Sequence, residues 1–156
     1  MKYLCLLVFV FCLNAVAAQS EPTPVDLKAA YCAAVIKAGL DEDIKLYNES
    51  SKVFSSESDA MVYQKKSIAA KKDKHEHLRG YLLTRMSGLD THSIYAAMSR
   101  GTLDIQRTNS PEISSCTQNC TQTQRTENEL SACIKACAPE TFNRVWSCNE
   151  LSWLPY

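Results

Sequence analysis

The sequence predicts an all-α protein, a single compact domain of five or six helices. Glycine and proline are scarce, with 4 and 5 residues among 156, and this composition favours helices over strands. Four cysteines form the run Cys116-x3-Cys120 followed by Cys133-x3-Cys137, and residues four apart lie on one face of a helix. The cysteine run therefore predicts a disulfide-stapled hairpin of two antiparallel helices at about 111–138.

The N-terminus has the three parts of a secretory signal peptide. Lys2 supplies a positive charge, an almost unbroken apolar run extends to Leu13, and small residues up to Ala18 suit a cleavage site. The apolar run is shorter than the roughly 20 residues that span a bilayer. We therefore expect residues 1–18 to be removed and 19–156 to form one domain without a transmembrane segment. Its expected location is extracellular, or periplasmic in a bacterium.

The charge balance gives no electrostatic support to nucleic acid as a partner. The chain has 17 basic and 17 acidic residues, whereas nucleic-acid-binding domains carry a basic excess. Residues 64–79 have six basic against two acidic side chains, a local charge of +4. This segment suggests a surface for acidic glycans or lipids. Because its lysines spread around the predicted helix, a solvated helix surface is the favoured interpretation.

Three helices are predicted in the N-terminal half. The first covers about 25–38, and Gly39 is expected to end it, since glycine often follows the last helical residue. The acidic cluster 41–43 then opens a second helix, where negative charge suits the helix dipole. After a serine-rich break, the longest helical pattern covers about 59–87.

A fourth, short helix is predicted to begin at Asp90 or Thr91, either of which can cap it. Gly101 is expected to stop this helix. Residues 102–110 show no helical period and are expected to form a loop.

The helices of the hairpin have clear start signals. Ser110-Pro111 provides a capping hydroxyl followed by proline at the first helical position. Residues 121–125 are expected to turn the chain, and Thr126-x-x-Glu129 is a capping box that opens the second helix. Pro139 either ends that helix or begins another.

Six cysteines follow the signal peptide, and an even set in an exported domain normally forms disulfides. Two antiparallel helices bring the outer cysteines together and the inner ones together. The expected pairs are Cys116–Cys137, Cys120–Cys133 and, by remainder, Cys32–Cys148. The alternative is a zinc site built from the four hairpin thiolates. The export signal favours disulfides over zinc.

The cysteine run also resembles the cystine-stabilised helical hairpins of small plant defence peptides and some scorpion toxins. The resemblance covers about residues 113–138 only. It implies the local geometry of a stapled hairpin, and none of the inhibitory or channel-blocking activity of those peptides is carried over.

Two Asn-x-Ser/Thr sequons make glycosylation possible at Asn48 and Asn119 if the chain follows a eukaryotic secretory route. Asn119 adjoins Cys120, and early disulfide formation there can hinder glycan transfer. The expected modification is therefore a surface glycan at one or both asparagines.

The sequence has one concentration of aromatic and apolar residues near its C-terminus: Trp146, Trp153, Leu154 and Tyr156. Exposed aromatic residues are frequent anchors of protein interfaces, so one hypothesis is a partner-binding patch. The alternative, which we favour, is that Cys148 fastens this segment to the domain and the tail completes the core.

No catalytic, cofactor or metal motif is present, neither His-Glu-x-x-His, nor Gly-x-Ser-x-Gly, nor a phosphate-binding glycine loop. The leading functional hypothesis is a secreted, non-enzymatic protein that binds an extracellular protein or receptor without a cofactor. Two alternatives stay open. One is a carrier of a small apolar ligand in a helical cavity, and the other is a small secreted hydrolase.

Overall fold

A computed structural model describes residues 20–123 and 126–155 and confirms the all-α class. The predicted signal peptide lies outside the described residues. These residues form six α-helices, with a 3-10 turn, Met86–Gly88, after the second. The helices are α1 (Pro24–Ser50), α2 (Asp59–Arg85), α3 (Thr91–Thr108), α4 (Pro111–Thr123), α5 (Glu127–Cys137) and α6 (Pro139–Trp146). Among the described helices, none combines the length and the apolar character that a membrane crossing requires.

Helix α1 is the centre of the domain, and α2 and α3 pack on it. Small residues dominate its buried face and allow the neighbouring helices to come close. Leu78 and Leu82 of α2, Ile94 of α3 and Leu154 near the C-terminus complete the same core. The buried residues of α1 in this core are Ala29, Ala30, Cys32, Ala33, Val35 and Ile36.

The predicted break at Gly39 is wrong, because α1 continues through it to Ser50. A glycine inside a helix costs about 1 kcal/mol relative to alanine, and contacts on both sides offset that cost. Lys37 pairs with Asp41 across the glycine. Further along, Asp43 lies 2.7 Å from the ammonium of Lys71 on α2. The acidic cluster thus belongs to the middle of one long helix.

The predicted stop at Gly101 and the predicted loop at 102–110 are also wrong. Helix α3 continues to Thr108, and Gly101 is buried where α3 crosses α1. A Cβ atom at this position would lie 2.5 Å from the carbonyl oxygen of Tyr31 and 3.2 Å from the Cβ of Ala34. Gly101 therefore marks a close helix crossing and has no role in ending the helix.

The predicted helix starts after residue 89 are confirmed. Asp90 caps α3 by accepting hydrogen bonds from the backbone N–H groups of His92 and Ser93, and Thr126 forms its capping box with Glu129. Pro139 begins α6.

Other local features differ from the expectation or extend it. Helix α4 runs to Thr123, so residues 121–123 of the predicted turn are helical, and 124–125 lie outside the described residues. A further capping box, Thr23 with Asp26, opens α1. Before that helix, Ser20 forms a parallel bridge with Leu89, which fastens the start of the described chain to the segment between α2 and α3.

All three of the expected disulfides are formed. Cys116–Cys137 and Cys120–Cys133 staple α4 to α5, with sequence separations of 21 and 13. Cys32–Cys148 joins α1 to the segment after α6, with a separation of 116. Both cysteines of this long bridge are buried in the core, so the bridge fixes the C-terminal segment against α1.

Candidate functional site

The C-terminal segment is divided between the core and the surface. Leu154 is 4% exposed and belongs to the core, whereas Trp146 and Trp153 are only partly buried. The indole Nε1 of Trp153 donates to the carbonyl oxygen of Glu150 at 2.6 Å. Tyr156, the fourth residue of the predicted patch, lies outside the described residues. The two tryptophans are thus the members of this patch that face a cleft.

This cleft, here called the tryptophan cleft, lies between α1, α5 and the segment 146–153. Its volume is about 470 Å³. The ammonium of Lys28 lies 4.3 Å from the ring centroid of Trp153, and that of Lys135 lies 4.6 Å from the ring centroid of Trp146. Such cation–π contacts contribute about 0.5–1 kcal/mol each at exposed sites. Serine, asparagine and glutamate side chains complete the lining: Ser131, Ser147, Asn149, Glu150 and Ser152.

The cleft has a rigid support. Cys148 lies between the two tryptophans in sequence and is bonded to Cys32 of α1. Trp146 also packs on Phe142, with ring centroids 5.7 Å apart. Because α6 and the tail are both fixed, the indole rings are held in place before any partner arrives, and less conformational entropy is lost on binding.

A partly buried ion pair joins α3 to α6. The carboxylate of Asp104 accepts hydrogen bonds from Arg144 Nε at 2.8 Å and from the Tyr31 hydroxyl at 2.9 Å. The hydrogen bond from Arg144 lowers the pKa of Asp104. Burial, together with the bond to Asp104, raises the pKa of Tyr31 to about 12. The Asp104 carboxylate therefore stays charged and the Tyr31 hydroxyl stays neutral near neutral pH. Their hydrogen bonds join Tyr31 of α1, Asp104 of α3 and Arg144 of α6.

We expect this carboxylate to make stability depend on acidity. A carboxyl whose pKa is lowered by folding stabilises the protein above its unfolded pKa of about 3.9, and this stabilisation disappears as the pH falls through the folded value. Protonation turns the charge-assisted bonds into neutral ones of about half the strength, a loss of about 1 kcal/mol. The free energy of urea unfolding should therefore fall from pH 7 to pH 3 by less in Asp104→Asn than in the wild type.

The exposed carboxylate of Asp73, for which the structure gives no ion pair among the described residues, provides the control for this measurement. Asp73→Asn should keep the wild-type dependence on pH. Equal losses in the wild type and Asp104→Asn would contradict the role given to Asp104.

The buried carboxylates give the hydrolase hypothesis no support. Within the described part of the chain, the buried acidic residues are Asp26 and Asp104. Asp26 is paired with Arg85 and accepts a hydrogen bond from the Tyr81 hydroxyl at 2.9 Å. Hydrogen bonds from these groups and from Thr23 hold the pKa of Asp26 far below its usual range, although burial alone would raise it. A general acid needs a pKa near the operating pH. The pKa of each of these two carboxyls is lowered instead.

The hairpin cysteines do form a compact cluster, with the sulfur atoms of Cys116, Cys120 and Cys137 within 4.8 Å of one another. Each of these sulfurs is bonded in a disulfide. A cysteine binds a metal as its thiolate, so the oxidised hairpin does not provide the four thiolates that the zinc alternative requires.

The side chains of both sequon asparagines are exposed. Asn48 lies on the last turn of α1, and Asn119 lies on α4 one residue before Cys120. The basic segment 64–79 belongs to α2, where Lys71 is paired with Asp43 and Lys74 donates to the carbonyl oxygen of Asn149. Two lysines of this segment thus bind other parts of the same chain and are not free for an acidic partner.

A smaller apolar pocket of about 340 Å³ lies on the other side of Trp146. Its apolar lining comes from four helices, with Val35, Ile36, Ala70, Ile105 and Val145. This volume is at the low end for ligand pockets, which measure about 300–1,000 Å³. The carrier hypothesis would place a small apolar ligand here.

Six large apolar side chains are exposed around the turn between α1 and α2: Ile44, Leu46, Val53, Phe54, Val62 and Tyr63. Charges of both signs are interspersed with them, with Lys45 and Lys52 against Glu49 and Glu57. This mixture indicates no particular class of partner for that surface.

Comparison of the chain with protein-family models, with curated proteins and with solved structures finds no match to any of them. The functional argument consequently depends on the residues of this chain alone.

Proposed function

We propose that the protein is a secreted, non-enzymatic binding protein whose target is another extracellular protein or a receptor, held at the tryptophan cleft. The observation that carries this proposal is the pair of partly exposed tryptophans, each with a lysine ammonium over its ring. Tryptophan is among the residues that contribute most to protein interfaces. A cleft with such residues, fixed by a disulfide, is suited to binding.

Three further observations support export. The N-terminal sequence has the parts of a signal peptide, and three disulfides fit an oxidising compartment. The side chains of Asn48 and Asn119 are accessible to the glycosylation machinery. We therefore propose that the mature protein lies outside the cell and carries a glycan at one or both asparagines.

The proposal predicts a target whose capture depends on the cleft. The oxidised mature chain, immobilised and exposed to extracellular fluid from its source, should retain at least one protein. Lys28→Glu combined with Lys135→Glu should reduce that retention about tenfold or more, because it removes both cation–π contacts and reverses the charge of the cleft.

A matched variant controls for the change in total charge. Lys66→Glu combined with Lys72→Glu alters the charge equally on exposed positions of α2 and should retain the target as the wild type does. Equal retention by all variants would contradict a role for the cleft. One-to-one binding of an environment-sensitive lipid dye, lost when Ala70→Trp fills the apolar pocket, would instead favour a carrier.

A further inference from the structure

The tryptophan cleft continues into a second depression along α1 and α3. Lys28 and Ser147 line both the cleft and this groove, whose volume is about 590 Å³. The middle of the groove has an apolar floor of Leu27, Ala96 and Ala97. A ligand seated between the tryptophans can therefore extend over α1 onto α3 without leaving the surface.

The groove extends further along α3. Arg100 and Arg144 line it and also a neighbouring depression of about 530 Å³ that contains Arg107. Leu103 in that depression is 61% exposed. The tryptophan cleft and the two depressions along α3 share lining residues and form one continuous surface, here called the basic groove.

The charge of the basic groove differs from that of the chain. Five basic side chains line it, against two acidic ones, in a protein with equal numbers of both. One of the acids, Asp104, is buried and bonded to Arg144, and the other is the exposed Glu150 of the tryptophan cleft. Glu140 is not a lining residue, but it lies 3.8 Å from the same arginine. The basic residues are Lys135, Lys28, Arg144, Arg100 and Arg107.

Two of these arginines are available to a ligand. Arg100 and Arg107 make no hydrogen bond or ion pair through their guanidinium groups to the described residues, and Arg100 acts on Asp104 only through its charge. A guanidinium forms paired hydrogen bonds with a carboxylate, and such charge-assisted bonds are about twice as strong as neutral ones. These positions therefore favour carboxylate groups on the partner.

The apolar floor narrows the class of ligand. A sulfated glycan would leave Leu27, Leu103 and the indole rings without apolar contacts of comparable size, and a flat membrane surface does not enter a concave groove. A peptide that carries both acidic and apolar side chains satisfies both the arginines and the floor, because its carboxylates can bond the guanidinium groups and its apolar side chains can cover the floor.

We propose that the basic groove binds an extended segment of the partner protein that combines aspartate or glutamate with apolar anchors. This inference depends on the proposed binding function and adds the chemistry of the partner. The anchors occupy the tryptophan cleft and the floor over Ala96 and Ala97, and the carboxylates face Arg100 and Arg107.

The test is a selection of random dodecapeptides displayed on phage against the oxidised mature chain. Enriched peptides should contain acidic and apolar residues together. Their affinity should fall about tenfold or more in Arg100→Glu combined with Arg107→Glu, and it should also fall with rising salt. Both side chains are exposed, and circular dichroism should show that this variant keeps its helical fold. Lys66→Glu combined with Lys72→Glu, with the same change in charge, should bind like the wild type.

Three results would overturn the inference. These are failure to enrich any peptide, enrichment of neutral or basic peptides, or acidic peptides that bind the Arg100→Glu, Arg107→Glu variant unchanged. Binding of a heparin oligosaccharide without peptide enrichment would assign the groove to glycans instead. Neutral peptides that are lost on Lys28→Glu with Lys135→Glu would leave the proposed binding function intact while removing its acidic specificity.

Discussion

Replacing Gly101 with alanine should destabilise the protein by about 2–3 kcal/mol, although alanine is the better helix former. The added Cβ would lie 2.5 Å from the carbonyl oxygen of Tyr31, and this neighbour is backbone, which cannot rotate away. Helix α3 must then move from α1, and the contacts of Ile94 and Ala34 in the crossing loosen. The measurement is the free energy of unfolding in urea, with circular dichroism to follow the helices.

Gly80 is a matched control for this substitution. It is also an interior helical glycine, in α2, but nothing lies within 4 Å of the position that its Cβ would take. Gly80→Ala should therefore stabilise the protein by up to about 1 kcal/mol through helix propensity alone. If both substitutions changed the free energy of unfolding equally, the close crossing at Gly101 would be refuted.

These two glycines, with Gly39, also show what a sequence can and cannot tell about this fold. Glycine is common just after a helix, so the expectation of a stop at Gly39 and Gly101 was reasonable. Whether a glycine ends a helix or admits a neighbouring helix depends on residues distant in sequence, here Tyr31 and Ala34 against Gly101. Local rules contain no information about that contact.

The caps and the hairpin were predictable because their signals are local. Thr126 and Glu129 are three residues apart, and the cysteines of each pair on one helix are four apart, so their geometry follows from the helix itself. No local pattern predicts the Cys32–Cys148 pair. These two cysteines are the ones that remain once the four hairpin cysteines are paired.

The candidate site was only partly predictable. Trp146 and Trp153 stand out in the sequence as an aromatic concentration, and both line the tryptophan cleft. Lys28 gave no signal, because it lies in α1 and meets Trp153 only in the folded protein. The same holds for Arg100 and Arg107, which lie in a segment expected to be a short helix and a loop. Without α3 extending to Thr108, the basic groove could not be anticipated.

Removing the Cys32–Cys148 bridge should have the largest effect of the substitutions considered. A cross-link stabilises mainly by restricting the unfolded chain, and more so for a longer loop. For a separation of 116 residues the loop-entropy relation gives about 5 kcal/mol. Cys32→Ala combined with Cys148→Ala should therefore lose a large part of a stability that is typically 5–15 kcal/mol for such a domain.

The hairpin bridge Cys116–Cys137 provides the matched comparison. Its separation is 21 residues, for which the same relation gives about 3 kcal/mol. Cys116→Ala combined with Cys137→Ala should consequently be the more stable double variant in urea. The slope of the unfolding free energy against urea concentration should also rise more in the variant without Cys32–Cys148 than in the hairpin variant. The unfolded chain without the long bridge exposes more surface to urea.

The long bridge also supports the tryptophan cleft, because Cys148 lies between Trp146 and Trp153 and is bonded to the central helix. Under conditions where the Cys32→Ala, Cys148→Ala variant is still folded, its affinity for peptides selected on the wild type should fall about tenfold, as the cleft is no longer preorganised. The measurement is fluorescence anisotropy of a labelled peptide. Unchanged affinity, or a smaller loss of stability than in the hairpin variant, would show that α6 and the tail hold their position without the cross-link.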